Sequence, residues 1–139
     1  MKVREIMHQG VEWVAPDTPV RQVARKMAEM DIGALPVSEN GECLGMITDR
    51  DLALRAFADA LDPSKLTAKD IMTKGAICCH DTEEVDEAIR LMETKKIRRL
   101  PVLNEKNVCV GMLSLGDISQ AMPREVTAEV AKAVSAHHA

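Results

Sequence analysis

Two seven-residue segments carry the residue types that chemistry would need. They are Gly45-Met46-Ile47-Thr48-Asp49-Arg50-Asp51 and Gly111-Met112-Leu113-Ser114-Leu115-Gly116-Asp117, both of the form Gly-x-x-[Ser/Thr]-x-x-Asp. A hydroxyl followed three residues later by an acid is close to a capping box, so Thr48 and Ser114 can simply start helices. The same arrangement suits a nucleotide. A helix start offers backbone N–H groups to a phosphate, the hydroxyl adds a donor, and the carboxylate accepts hydrogen bonds from a ribose diol. Recurrence beside a short apolar strand able to sandwich a base favours ligand binding.

Other reactive side chains form no set. Cys78-Cys79-His80 invites a metal reading, but neighbouring strand residues point to opposite faces, so core packing is the assignment and no metal site is expected. Cys43 and Cys109 stand two residues before a glycine in matching places, as repeated strand positions do, and no CxxC spacing is present. Reduced thiols are expected. His8 is a lone surface candidate and His137-His138 lie in a tail. Without a Ser/His/Asp or Cys/His set, no catalytic residues are assigned and an enzyme is not expected.

The elements that must position these segments come from an internal repeat, visible when the 139 residues are shifted by 65 positions. Ile6-Met7 then meets Ile71-Met72, Gly10 meets Gly75, and Val20, Arg25, Met27 and Ile32 meet Val85, Arg90, Met92 and Ile97. Leu35-Pro36-Val37 meets Leu100-Pro101-Val102. One extra residue in the Glu105 to Asn107 turn moves the offset to 66, where Cys43, Gly45, Met46 and Asp51 match Cys109, Gly111, Met112 and Asp117.

Each half opens with a helical turn (Val3 to His8, Ala68 to Thr73) and a brief strand (Val11 to Val14, Ala76 to Cys79). A helix follows, with Thr18 as N-cap, Pro19 at the first helical position and Val20, Val23, Ala24, Met27 and Met30 as its core stripe. Val85, Ala88, Ile89 and Met92 form the second stripe. Further strands at Ala34 to Ser38 and Arg99 to Leu103 turn through Glu39-Asn40-Gly41 and Asn104 to Asn107 into strands ending at Thr48 and Ser114. Asn-Gly between apolar runs marks a hairpin, while the helical crossover favours a parallel pair. Closing helices run from Asp49 to Asp59 and Leu115 to Met122.

The fold class is therefore α/β (α+β), with two β-α-β-β-α repeats, each carrying a mixed three-stranded sheet. Residues 1–60 form repeat 1, 61–67 the linker, 68–122 repeat 2, and 123–139 a C-terminal helix with Val126, Val130, Ala133 and Val134 at helical spacing. A unit near 60 residues hides only about 60% of its unfolded surface, so the halves are expected to pack about a pseudo-two-fold axis, with a pair of clefts.

Composition narrows the partners. Lys+Arg 18 against Asp+Glu 22 gives a net charge of −4 with the signs interspersed, and Trp13 and Phe57 are the only aromatics. No nucleic-acid or membrane partner is expected. Charges at Lys2, Arg4 and Glu5 leave no secretory apolar run, so a cytoplasmic location is expected.

The repeat, the Glu5-Ile6-Met7 and Asp70-Ile71-Met72 segments, the Leu-Pro-Val strands and the two Gly-x-x-[Ser/Thr]-x-x-Asp ends resemble a tandem pair of CBS domains, a Bateman module. The likeness covers residues 1 to about 122 and is strongest to small stand-alone pairs over Ile32-Gly33-Ala34-Leu35-Pro36 and Thr48-Asp49-Arg50-Asp51-Leu52. It implies a non-catalytic sensor of adenosine-containing ligands (AMP, ADP, ATP, NAD-type dinucleotides or S-adenosylmethionine), a homodimer, and a client protein. No cofactor is required, the nucleotide being the regulatory ligand.

By position, the resemblance gives Asp51 and Asp117 to ribose hydroxyls and Thr48 and Ser114 to ribose or phosphate. Val11 and Glu12, Gly33 to Pro36 (Gly33, Ala34, Leu35, Pro36), Ala76 and Ile77, and Arg98 to Pro101 (Arg98, Arg99, Leu100, Pro101) would frame the adenine. Which aspartate serves which strands stays open. Arg98-Arg99 against Gly33-Ala34, and Arg50 against Gly116, make the two sites unequal. The alternative is an interaction module whose clefts bind no nucleotide.

Overall fold

The computed structural model describes residues 1–59 and 62–135. In chain order its elements are α1 (Val3–Ile6), β1 (His8–Gln9), α2 (Val20–Met30), β2 (Ala34–Glu39), β3 (Glu42–Thr48) and α3 (Asp49–Asp51). The last continues as a wider π-type helix over Leu52–Ala58. After a 3-10 turn at Pro63–Lys65 come α4 (Ala68–Ile71), β4 (Thr73–Lys74), β5 (Cys79–His80), α5 (Val85–Lys95), β6 (Arg99–Leu103), β7 (Cys109–Ser114), α6 (Leu115–Ala121) and α7 (Arg124–Ser135).

These elements form two compact bodies, and their boundaries do not follow the repeat. One body is Glu12–Ala76; the other combines Met1–Val11 with the chain from Ile77 onward. The opening segment of each repeat thus packs within the body that holds the other repeat's hairpin.

In the body Glu12–Ala76 the sheet runs β2-β3-β4 and is antiparallel. Asn40 and Gly41 take positive φ values of 53° and 82° at the β2–β3 turn, as the Asn-Gly pair predicts. The strand expected at Val11 to Val14 contracts to one parallel bridge, Val14 to Val37. Val20, Val23 and Met27 of α2 are buried with Leu35, Val37, Ile47, Ala56 and Ile71. Ala24 and Met30 are exposed, so the apolar stripe is narrower than expected. Pro19, with ψ 140°, is the N-cap rather than the first helical residue, its carbonyl accepting from the Gln22 and Val23 N–H groups. Extended ψ takes Pro19 outside the helix, and its missing N–H costs nothing there.

In the second body the sheet is β1-β7-β6-β5, parallel at β5–β6 and antiparallel elsewhere. It has four strands instead of three because β1, from the start of the chain, pairs His8 with Met112 and Gln9 with Gly111. Val85, Ala88, Ile89 and Met92 are all buried, together with Leu100, Val102, Leu113 and Ile118. The expected C-terminal helix is α7, which packs on α5 and α6 through buried Val130 and Val134. His137 and His138 lie outside the described residues. Among the described residues no helix is long and apolar enough to cross a membrane.

Candidate functional site

Both predicted capping boxes form. The Thr48 N–H donates to Asp51 Oδ2 at 2.9 Å, and the Asp51 N–H donates back to Thr48 Oγ1 at 3.1 Å. In the second repeat the Ser114 N–H donates to Asp117 Oδ2 at 2.9 Å and the Asp117 N–H to Ser114 Oγ at 3.2 Å. Ser114 Oγ also donates to Asp117 Oδ2 at 3.0 Å. The caps therefore account for Oδ2 of each aspartate and for the oxygen of each hydroxyl.

The other carboxylate oxygens lie near different basic side chains. Asp51 Oδ1 lies 3.7 Å from Arg55 Nε, and Asp117 Oδ1 lies 3.6 Å from His8 Nδ1. The side chains of Asp51 and Asp117 are only 13% and 14% exposed, and each carboxylate is held by its cap through Oδ2, not Oδ1. A fixed acceptor with spare lone pairs is what a hydroxyl-bearing ligand requires.

The strands expected to frame an adenine are brought to the same ends. Ala34 pairs with Thr48, Leu35 with Ile47 and Pro36 with Met46; the Gly33 carbonyl accepts from the Asp49 N–H at 2.9 Å. In the second body Arg99 pairs with Ser114, Leu100 with Leu113 and Pro101 with Met112, and the Arg98 carbonyl accepts from the Leu115 N–H at 3.0 Å. Each aspartate thus lies with the middle strand of its own repeat. Leu35 and Leu100 are wholly buried in their cores.

The other residues expected to frame the base divide differently. Val11 and Ile77 belong to the body of Asp117, and Glu12 and Ala76 to that of Asp51. Each body therefore takes one residue from either repeat's opening strand. Glu12 turns its carboxylate to Lys26 Nζ at 2.6 Å. Arg98, just before β6, donates from Nη2 to Ser135 Oγ at the end of α7 at 3.3 Å, while Arg99 is exposed.

Arg55 was not foreseen, although the four-residue spacing from Asp51 is a helical ion-pair signal. His8, a lone candidate in the sequence, acquires its partner only through the β1–β7 pairing. Cys43 and Cys109 each direct Sγ to a glycine carbonyl two residues on, at 3.6 Å. Cys79 is buried, and burial pushes its thiol up to about 12. His80 Nε2 is 2.8 Å from Asn107 Oδ1. Among the described residues no three His, Cys, Asp or Glu side chains are grouped to hold a metal. A groove of about 540 Å³ at the hairpin end of β2 and β3, lined in part by Leu44, Lys69, Met72 and Lys74, includes none of the predicted ligand residues.

A repeated strand-helix end with a capped aspartate, doubled in one chain, defines a class, and the CBS domain family model matches residues 3–57 and 68–124. The chain belongs to the CBS domain family. It is 33% identical over 132 residues to hypoxic response protein 1 of Mycobacterium tuberculosis, covering 94% of this chain and 92% of that protein. It is also 34% identical over 124 residues to uncharacterized protein MK0525 of Methanopyrus kandleri, covering 88% of this chain but 63% of that relative.

The solved structure of the hypoxic response protein, with two coordinated zinc ions, matches with a TM-score of 0.79 at 32% identity, covering 88% of this chain and all (100%) of that one. CBSX2 of Arabidopsis thaliana in complex with AMP gives 0.73 at 26% identity, with 86% and 94% coverage. The CBS domain pair of MJ0100, in complex with 5′-methylthioadenosine and S-adenosyl-L-methionine, gives 0.77 at 27% identity, with 87% and 98% coverage. The chain is therefore a CBS pair, a class of regulatory ligand-binding module with adenosyl ligands among its neighbours.

Proposed function

We propose that the chain is a non-catalytic sensor of adenosine-containing ligands (AMP, ADP, ATP, NAD-type dinucleotides or S-adenosylmethionine), acting on a client protein in the cytoplasm. The observation that carries this reading is the aspartate pair: in both repeats a cap fixes Oδ2 and leaves Oδ1 outside the cap's hydrogen bonds. Asp51 and Asp117 take ribose hydroxyls, Thr48 and Ser114 lie beside the sugar, and Gly33 to Pro36 and Arg98 to Pro101 frame the base. Complexes of similar CBS pairs with AMP and with S-adenosyl-L-methionine support the ligand class. The module works as a homodimer, for which exposed Leu54 and Phe57 supply apolar surface; Phe57 is 75% exposed.

That exposure also favours a second reading, an interaction module that binds no nucleotide, since the capping boxes satisfy Thr48 and Ser114 by themselves. Thermal unfolding and Trp13 fluorescence with AMP, ATP, NAD and S-adenosylmethionine separate the two. Under the sensor reading a ligand raises the melting temperature, and Asp51→Ala and Asp117→Ala weaken its binding by about 1–3 kcal/mol, the scale of charge-assisted hydrogen bonds. An unchanged melting temperature with all four at millimolar concentration would leave the interaction reading.

A further inference from the structure

Arg55 joins the predicted ribose aspartate of the first repeat to a segment remote in sequence. Its Nη1 donates to the carbonyl oxygens of Ile71 and Met72, at 3.1 and 3.2 Å, while Nε lies 3.7 Å from Asp51 Oδ1. Carbonyls at a helix C-terminus have no partner within the helix, and those at the end of α4 find one in this planar, forked cation. Ile71 is anchored in the core, whereas Met72 leads directly into β4, whose Thr73 and Lys74 pair with Met46 and Gly45. The Gly75 N–H donates to Leu44 O at 3.2 Å, and the chain passes from Ala76 into the second body.

The second repeat carries no equivalent. Ala121 occupies the position that matches Arg55, and Asp117 Oδ1 faces the exposed His8. A separation of 3.7 Å makes the Arg55–Asp51 contact an ion pair longer than a hydrogen bond, so Oδ1 retains its acceptor capacity. A hydroxyl donating to Oδ1 draws on the same charge that holds the guanidinium.

We propose that Arg55 is a positioning residue that reports occupation of the Asp51 site to the segment 72–75; this rests on the adenosine-sensor reading above. When a ribose hydroxyl engages Oδ1, the guanidinium shifts its weight onto the Ile71 and Met72 carbonyls. The segment that leads to the Ala76–Ile77 crossing then tightens. Occupation of the Asp117 site has no such route, which makes the repeats unequal in output as well as in sequence.

Hydrogen–deuterium exchange on the full chain tests this, with Asp117→Asn removing the second aspartate and the tightest binder among AMP, ATP, NAD and S-adenosylmethionine as probe. Ligand should slow exchange of the 72–75 amides by about threefold or more. Adding Arg55→Ala should abolish that slowing while calorimetry still detects binding. Arg55→Gln repeats the test with side-chain length kept, should the alanine variant not fold. Arg55→Lys keeps the charge beside Asp51 but lacks the fork, and should not restore the response. Slowing that persists without Arg55, or full rescue by lysine, would overturn the role of Arg55 and leave the sensor reading standing. Failure of all four compounds to bind the unaltered chain would overturn both.

Discussion

His8 Nδ1 stands 3.6 Å from Asp117 Oδ1, and the two residues meet because β1 adds to the edge of β7, 109 positions away in sequence. The pair is lopsided. His8 is 81% exposed on its side chain while Asp117 is 14% exposed and held by its cap. Exposed ion pairs contribute about 0–1 kcal/mol, whereas losing a cap costs about 0.5–2 kcal/mol. His8→Ala should leave urea unfolding nearly unchanged. Asp117→Ala should lower stability by about 1 kcal/mol without any ligand present.

The glycines of the repeated motif respond differently to an added methyl. A Cβ at Gly111 would lie 2.7 Å from the His8 carbonyl oxygen and 2.7 Å from Met7 Sδ. One at Gly45 would collide with the Thr73 carbonyl oxygen, where β4 crosses β3. Gly45→Ala and Gly111→Ala should each cost about 1–3 kcal/mol by prising off the short edge strand. At Gly116 the nearest atom is Ser114 Oγ at 3.5 Å, so Gly116→Ala should stabilise α6 by up to about 1 kcal/mol. Calorimetric melting of the three variants checks the contrast.

Each body also has an acid-sensitive tie. Hydrogen bonds from the Thr67 backbone and hydroxyl hold the Asp70 carboxyl below its ordinary 3.8, helped by Lys69. Lys2 and the N-terminal ammonium hold Glu84 below its ordinary 4.5. With both lowered in the folded chain, the unfolded chain binds more protons as pH falls below about 4.5. The stabilisation is therefore present at neutral pH and lost as acid passes through the folded values. Urea midpoints should fall between about pH 5 and pH 3, across the carboxylate range, and Thr67→Ala should flatten part of that slope.

Cys79 should be the slowest thiol to react. Burial first, and the charge of Glu83 second, push it up to about 12, so near pH 8 only about one molecule in ten thousand carries the thiolate. Iodoacetamide should modify the half-buried Cys43, Cys78 and Cys109 first. Cys79 should be labelled at a comparable rate only in denaturant, as read by peptide mass spectrometry.

Much of this architecture is legible in the chain because its signals are local. Asn40-Gly41 specifies the hairpin by the φ values it tolerates, Val85, Ala88, Ile89 and Met92 specify a helix face by spacing, and each Ser or Thr three residues before Asp specifies a cap. Where local signals weakened, so did the reading. The strand expected at Val11 to Val14 shrank to a bridge, and β1 and β4 are two residues each, too short to show alternation. Arg55 carried a spacing signal toward Asp51, but nothing near it in sequence points to the carbonyls of Ile71 and Met72.

The sequence by itself determined that one plan is used twice and that each copy ends a strand in a capped aspartate. Those properties follow from residues a few positions apart, whose conformations are set by backbone sterics and short-range hydrogen bonds. Only the tertiary structure decided that the opening segments are exchanged, so that Gly45 meets Thr73 and Gly111 meets His8. It likewise decided that Asp51 faces an arginine bound to two carbonyls and Asp117 an exposed histidine. Pairings across such separations depend on which edges the packed cores leave open, and no period or motif in the chain records that.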